Sequence, residues 1–583
     1  MRLKGILKYD GIILLPMLNL LFMHYFFYMN RYLEWTWFYS IFINLCSIVF
    51  DVFLLLIISL VIVKGRFKPA VAITQFITLI WSFVNVMYGR FFFQYMSISA
   101  INEAHGLGDS LVVNSILSGF HWYDLFYVVS AIVFIGIYRR TPKKLLSAST
   151  IMKLSVVPVL SLLLTFVAYS AYHFIHPQYR NNWDLYVVRV KEFLYDSVRG
   201  GTPNLAHFQT GCLRVAAFEI YDMCRVVELT QEQRNEIADF YRNNSDRTSH
   251  HLPNPEIRNV IFILLESFLS APIDLIVEGK EVTPFLNSLK NEFDVYYNGK
   301  MKSDIGCGES GDGQFIYMNG ILPLSYKMTI GQVKNHTLPA LPIVLREKMK
   351  LKHCEIIIPT PMNLWQQADM NIVYGLTEAY SQEDVVGNNV DEADDQSIFD
   401  FSSKLLSPAK EPFFSLILSI STHSPYDHYV GDDFLQDKGN YPEEYKYYLN
   451  TCHYTDNQLK KYFNTLKRVG IYDQSLIVVA SDHHAHLDRL KMKGKISDCT
   501  PLFIIHGHIN NEQIWDGEFH QLDVYTTILD VLGIDSEWKG LGRTLLSSNY
   551  SNSVNDKAHY VSELIIEGDY FSDAHDNELR KQK

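Results

Sequence analysis

NVIFILLES, residues 259–267, decides the fold of the larger half of this chain: an unbroken apolar run that ends abruptly in Glu266 and Ser267. Strands buried on both faces of a parallel sheet read as continuous apolar runs, not as alternating ones. The same pattern returns twice. FFSLILSIS (413–421) leads into Thr422-His423-Ser424, and SLIVVA (475–480) leads into Ser481-Asp482-His483-His484. Helical stretches separate these runs, which predicts an α/β domain with a buried parallel sheet. Open α/β sheets bind ligands at the carboxyl ends of their strands, so Glu266, His423, Asp482 and His483 are expected around one site. Singly, a carboxylate after a strand is often a helix cap, and a lone histidine a satisfied polar residue. Their arrival at one end of one sheet is what makes them a candidate site.

Between the first two runs lies SDIGCGESGDGQFIYMNGILPL (303–324). Gly306, Gly308, Gly311 and Gly313 leave the backbone bare around Ser310, and an apolar pattern resumes behind it as in a helix. A serine at a helix N-terminus is suited to attack phosphorus, because free backbone N–H groups and the helix dipole stabilise anionic oxygens. Ser303 in MKSD offers a second serine.

Toward the N-terminus the composition changes. Apolar stretches long enough to cross about 30 Å of hydrocarbon occur near residues 11–30, 38–63, 69–88, 122–138 and 153–174. Basic residues fall on alternate sides of these five spans: Arg2, Lys4 and Lys8; Lys64, Arg66 and Lys68; then Arg139, Arg140, Lys143, Lys144 and Lys153. By the positive-inside rule the N-terminus is cytoplasmic and everything beyond residue 175 is outside. The stretch 109–121 is expected as a re-entrant or interfacial piece. Asp51 and Arg90, in or beside apolar segments, are expected to face a neighbouring helix and to snorkel at a span end.

The net charge of −12 and the lack of basic clusters exclude a nucleic-acid partner. Seven scattered cysteines show no CxxC pair or zinc spacing, although Cys212 and Cys224 could pair in an oxidising compartment. The expected organisation is a transmembrane domain over 1–175, a helical linker over 176–257, a catalytic domain over 258–550 and a polar tail over 551–583. In the linker, Thr230 and Gln233 have capping-box spacing, and Ile237, Phe240 and Tyr241 recur at helical period.

These motifs together resemble the alkaline phosphatase and sulfatase superfamily, and within it the membrane-anchored lipoteichoic acid synthases and the related phosphoethanolamine transferases. The resemblance implies a five-helix transmembrane bundle followed by an extracytoplasmic sulfatase-like α/β domain, multi-pass in the bacterial cytoplasmic membrane. It matches Glu266, Asp482 and His483 to the family's metal ligands and Ser310 to its nucleophile, itself a metal ligand. Between Ser303 and Ser310 the resemblance implies Ser310, which lies 44 residues after Glu266 with Asn319 and Pro323 downstream at the family's spacing. His423 matches its phosphate-binding or proton-donating histidine, and FHQLDVYTTILDVLGID (519–535), with Asp523 and Gly533, its closing strand and helix. In the substrate pocket NLWQQAD (363–369) keeps Trp365, but Gln366 and Gln367 stand where the synthases carry Arg, which puts phosphoglycerol specificity in doubt.

The implied cofactor is one divalent ion. Oxygen-rich ligation favours manganese or magnesium, and the imidazole leaves zinc open. The implied reaction moves a phosphoglycerol or phosphoethanolamine type group from a membrane phospholipid donor to an envelope glycan or lipid acceptor, through a phospho-serine intermediate. The alternatives are a phosphodiesterase or sulfatase-like hydrolase and a non-catalytic membrane scaffold. Formylglycine chemistry is discounted, because Cys307-Gly-Glu-Ser310 lacks the Pro and Arg of a true sulfatase.

Overall fold

A computed structural model describes residues 10–29, 37–92, 95–98, 119–175, 183, 186–187, 203–225, 227–243, 251–306, 308–325, 327–362, 364–387, 393–426, 429, 431, 434–435, 441–509, 514–547 and 550–572. The chain forms two compact units that divide at residue 225.

The first unit is helical: α1 (Asp10–Met29), α2 (Trp37–Ile62), α3 (Phe67–Phe92), α4 (Leu125–Arg140), α5 (Ala148–Leu154) and α6 (Val156–Ile175), then α7 (Pro203–Thr210) and α8 (Cys212–Cys224). Among the described residues five stretches are long and apolar enough to cross a membrane: Gly11–Met29, Ile41–Ile62, Phe67–Arg90, Trp122–Arg140 and Ala148–Tyr172. They coincide with the five expected spans. Most of the stretch 109–121 lies outside the described residues.

The two ionisable residues expected in this unit find partners. Arg90 does not snorkel but grips Asp124 through both nitrogens, at 2.8 and 2.6 Å. Such two-pronged pairing is how a guanidinium is accommodated where water is scarce. Asp51 accepts from the backbone N–H groups of Cys212 at 2.7 Å and Leu213 at 3.2 Å, capping the N-terminus of α8. Cys212 and Cys224 are free cysteines at opposite ends of α8. At 1.5 Å per residue their Cα atoms stand about 18 Å apart, too far for a disulfide.

The second unit is built on an eight-stranded sheet: β1 (Asn259–Leu265), β2 (Val295–Lys302), β3 (His353–Ile357), β4 (Glu378–Tyr380), β5 (Phe413–Leu418), β6 (Ser475–Ser481), β7 (Thr500–Ile505) and β8 (Phe519–His520). Their order is β8-β2-β7-β6-β1-β5-β3-β4. The three strands read from sequence, β1, β5 and β6, form the centre and are buried almost throughout. β1 pairs parallel with both neighbours, Leu265 opposite Ser481 and Leu264 opposite Leu418. The sheet is not wholly parallel: β7 runs antiparallel to β6 and β2. Apolar cores cover both faces, one including Phe262, Leu264, Phe315 and Tyr317, the other Ile261, Ile263, Tyr448 and Phe463.

The expected linker is divided between the units, since α7 and α8 belong to the first while α9 (Gln231–Asn243) belongs to the second. The capping box of α9 is formed: the Thr230 N–H donates to Gln233 Oε1 at 2.9 Å, and the Gln233 N–H donates to Thr230 Oγ1 at 3.2 Å.

The expected polar tail is corrected as well. Residues Asp556–Glu567 form a helix that buries Ala558, Val561, Ile565 and Ile566 in the main core. Asp556, Lys557 and His559 stay exposed among these buried positions, so composition alone hid the amphipathic period. Ser562 Oγ accepts from the Leu322 N–H at 3.1 Å, which ties this C-terminal helix to the chain just after the Ser310 helix. Ile565→Ala is expected to destabilise the second unit by about 2–5 kcal/mol. Denaturant unfolding of the full chain in detergent checks this, and an unchanged midpoint contradicts it.

Candidate active site

Each strand delivers one piece of the site because parallel neighbours end at the same edge. With Leu265 opposite Ser481, the next residues, Glu266 and Asp482, leave the sheet side by side. Their backbones are fixed before any ligand enters. The Asp482 N–H donates to the Leu265 carbonyl at 3.0 Å, the Glu266 N–H to Ser419 Oγ at 2.9 Å, and the Thr422 hydroxyl to the Glu266 carbonyl. Asp482 Oδ1 accepts from the N–H groups of Ser267 and His483, at 2.8 and 2.7 Å.

Ser310 opens the helix α10 (Ser310–Asn319), which lies against this edge. The helix comes so close that a Cβ on Gly313 would meet the Asp482 carbonyl oxygen at 2.1 Å; only glycine fits there. The loop ahead of Ser310 is pinned from inside by Asp312, 2% exposed, whose Oδ2 accepts from Gly306 at 2.9 Å and Gly308 at 2.8 Å. Ser310 Oγ consequently stands 3.3 Å from Glu266 Oε2 and 3.2 Å from His483 Nε2. The rival Ser303 is engaged elsewhere, its hydroxyl donating to Gln521 Oε1 at 3.1 Å. Gln521 in turn donates to the Asp482 carbonyl at 2.6 Å.

Glu266, Asp482 and His483 each offer an atom within 4.8 Å of the others, and all three are buried. The donor set fits a divalent cation. His483 Nδ1 lies 2.9 Å from the His484 carbonyl, an acceptor that keeps the proton on Nδ1 and leaves the Nε2 lone pair facing the cluster. Two carboxylates buried side by side without a bound cation resist joint ionisation. Burial, reinforced by the Glu266 charge, pushes Asp482 up to about 7. Burial opposes charge on His483, yet Asp482, Glu266 and Glu309 raise it to about 9. Burial also works against Glu309, but His486 and His483 hold its carboxyl down at about 2.

Sequence reasoning missed Glu309 and His486, whose Oε2 and Nε2 atoms stand 3.3 Å apart. The signal was the extra histidine in SDHHAH, which falls on no strand end. His423 follows Thr422 beyond β5, its side chain partly exposed. Trp365 and Gln366, with φ of 49 and 56, form a left-handed turn into the helix α11 (Gln367–Val373). Gln367 is buried, and its amide pairs with Gln314 of α10 at 3.3 Å and with Asn371 at 3.0 Å.

Against known proteins, the sulfatase family matches residues 258–534 and the lipoteichoic acid synthase N-terminal domain family matches residues 2–184. The chain is a lipoteichoic acid synthase-like membrane protein of the sulfatase family. It is an enzyme of that family. Lipoteichoic acid synthase 2 of Bacillus subtilis is 25% identical over 501 residues, 81% of this chain and 73% of that one. Lipoteichoic acid synthase of Staphylococcus aureus is 26% identical over 509 residues, 81% and 74% of the two chains. Among solved structures, the integral membrane lipooligosaccharide phosphoethanolamine transferase A of Neisseria meningitidis is similar at 13% identity. Its TM-score is 0.46, over 86% of this chain and 97% of that one.

In this synthase-like protein the raised values of Asp482 and His483 set a pH dependence. His483 holds a proton below about 9 and Asp482 below about 7 in the metal-free site, and a metal must displace both. Manganese affinity is therefore expected to climb between about pH 6 and pH 9, with about one to two protons released on binding near neutrality. Calorimetry in buffers of different ionisation enthalpy measures both, and an affinity flat across that range contradicts the assignment.

Proposed function

We propose that this protein transfers a phosphoglycerol or phosphoethanolamine type group from a membrane phospholipid to an envelope acceptor, with Ser310 as nucleophile. One observation carries the proposal: Ser310 Oγ, at a helix N-terminus, faces Glu266 and His483 at 3.3 and 3.2 Å. Glu266, Ser310, Asp482 and His483 would hold one divalent ion, manganese or magnesium before zinc given three oxygen donors to one nitrogen. When bound, the ion supplies Lewis acidity that lowers the serine pKa.

The chain's own groups account for the rest. Ser310 Oγ attacks phosphorus, the bond to the diacylglycerol oxygen breaks, and a phospho-serine forms while the N–H groups at the start of α10 receive the anionic oxygens. His423 gives its proton to the departing alkoxide and takes one from the acceptor hydroxyl that then displaces Ser310. Trp365 lines the head-group pocket. Gln367, its amide spent on Gln314 and Asn371, sets the spacing of α11 and α10 instead of meeting substrate.

Three features support the donor and the side of the membrane. The relatives at 25% and 26% identity are named as lipoteichoic acid synthases. The five apolar spans put the enzyme in the bilayer that holds phospholipid. The alternating basic loops support a catalytic unit on the extracytoplasmic face.

The purified full chain, given manganese and fluorescent phosphatidylglycerol or phosphatidylethanolamine, is expected to release diacylglycerol from one of them. Ser310→Ala is expected to lower that release by on the order of a thousandfold or more. An acceptor sugar in the same assay separates transfer from hydrolysis. Release unaffected by Ser310→Ala rules out the serine, and release with no labelled acceptor makes the protein a phosphodiesterase.

A further inference from the structure

The residue in front of Ser310 sits in a conformation that its own side chain makes costly. Glu309 has φ 46 and ψ −120, a region glycine enters freely and other residues avoid. Glycines already fill this turn at 306 and 308, and a further one at 309 would relax it. A glutamate kept there is compensated by what its carboxylate does.

That carboxylate folds back from the serine, 17% exposed, and ends 3.3 Å from His486 Nε2 and 4.0 Å from His483 Nδ1. His483 is the imidazole whose other nitrogen faces Ser310. His486 lies three residues further along the same loop, its ring centroid 6.1 Å from that of His483. One side chain therefore bridges two segments that follow different strands: the turn after β2 that ends in Ser310 and the loop after β6 that carries Asp482 and His483. Asp312 holds the turn from inside through Gly306 and Gly308; Glu309 holds it from outside.

We propose that Glu309 and His486 form a positioning pair that clamps the Ser310 turn onto the Asp482-His483 loop, so fixing Ser310 Oγ against the other three metal-facing groups. It rests on the metal site proposed above and adds two residues to it. Loss of outer residues that hold metal ligands in place commonly costs about 10–100-fold in metal affinity. A mere space-filler at 309 would behave in the opposite way, since glycine removes the backbone strain and nothing else.

Manganese titration calorimetry and thermal unfolding of the metal-free full chain in detergent distinguish the two. Glu309→Gly is expected to bind manganese about 10–100-fold more weakly while its metal-free melting temperature stays level or rises. His486→Gln is expected to show the same loss, and the double variant no more than either single, because the pair is broken once. Wild-type affinity in Glu309→Gly, or losses that multiply in the double variant, would overturn the clamp and leave the metal site standing. Glu266→Gln separates the two claims. If that variant keeps wild-type manganese binding, the metal site itself is wrong and the clamp falls with it.

Discussion

Two carboxylates emerging side by side from adjacent buried strands constrain everything else in this molecule. Glu266 and Asp482 are 7% and 4% exposed, and like charges at such depth repel strongly because the surroundings screen them poorly. Among the described residues no arginine or lysine pairs with either carboxylate. The fold brings up instead the Ser310 hydroxyl and the His483 imidazole, whose Nε2 stands 3.6 Å from Glu266 and 3.7 Å from Asp482 and which a metal must strip of its proton. Such an arrangement costs folding free energy until a cation joins it, which is how stability is commonly exchanged for a functional site.

The sheet accepts this cost because its centre is so apolar. β1, β5 and β6 are buried almost throughout, and covering both of their faces leaves the strand ends as the place where polar chemistry meets solvent. Secondary ties then fix the ends. Ser419 and Thr422 hold the Glu266 backbone, Gln521 holds the Asp482 carbonyl, and Gly313 lets α10 approach to contact distance. The C-terminal helix, packed into the same core, steadies the chain leaving α10 through Ser562.

Much of this was legible in the residues. Continuous apolar runs give strands buried on both faces, and of the residues that punctuate them Glu266, Asp482 and His483 do come together, with Ser310 brought beside them by the helix its flanking glycines announced. The five spans followed from length and hydropathy. What stayed hidden has physical causes. The direction of β7 depends on a return path that an apolar run does not encode. The helix at Asp556–Glu567 spreads its apolar positions over three turns among Asp, Lys, Ser and Glu, so composition masked its period. Gln367 reads as a pocket residue by position, whereas its partner Gln314 makes it a tie between two helices. Glu309 and His486 belong to distant segments, and their pairing is a property of the closed fold alone.

The most direct test of the central claim is an anomalous difference map at the manganese edge from crystals of the full-length protein grown with manganese. The account predicts one peak in the second unit, within bonding distance of Glu266, Ser310, Asp482 and His483 together. A peak that misses any of these four, or an ordered site whose four groups bind no metal, contradicts it.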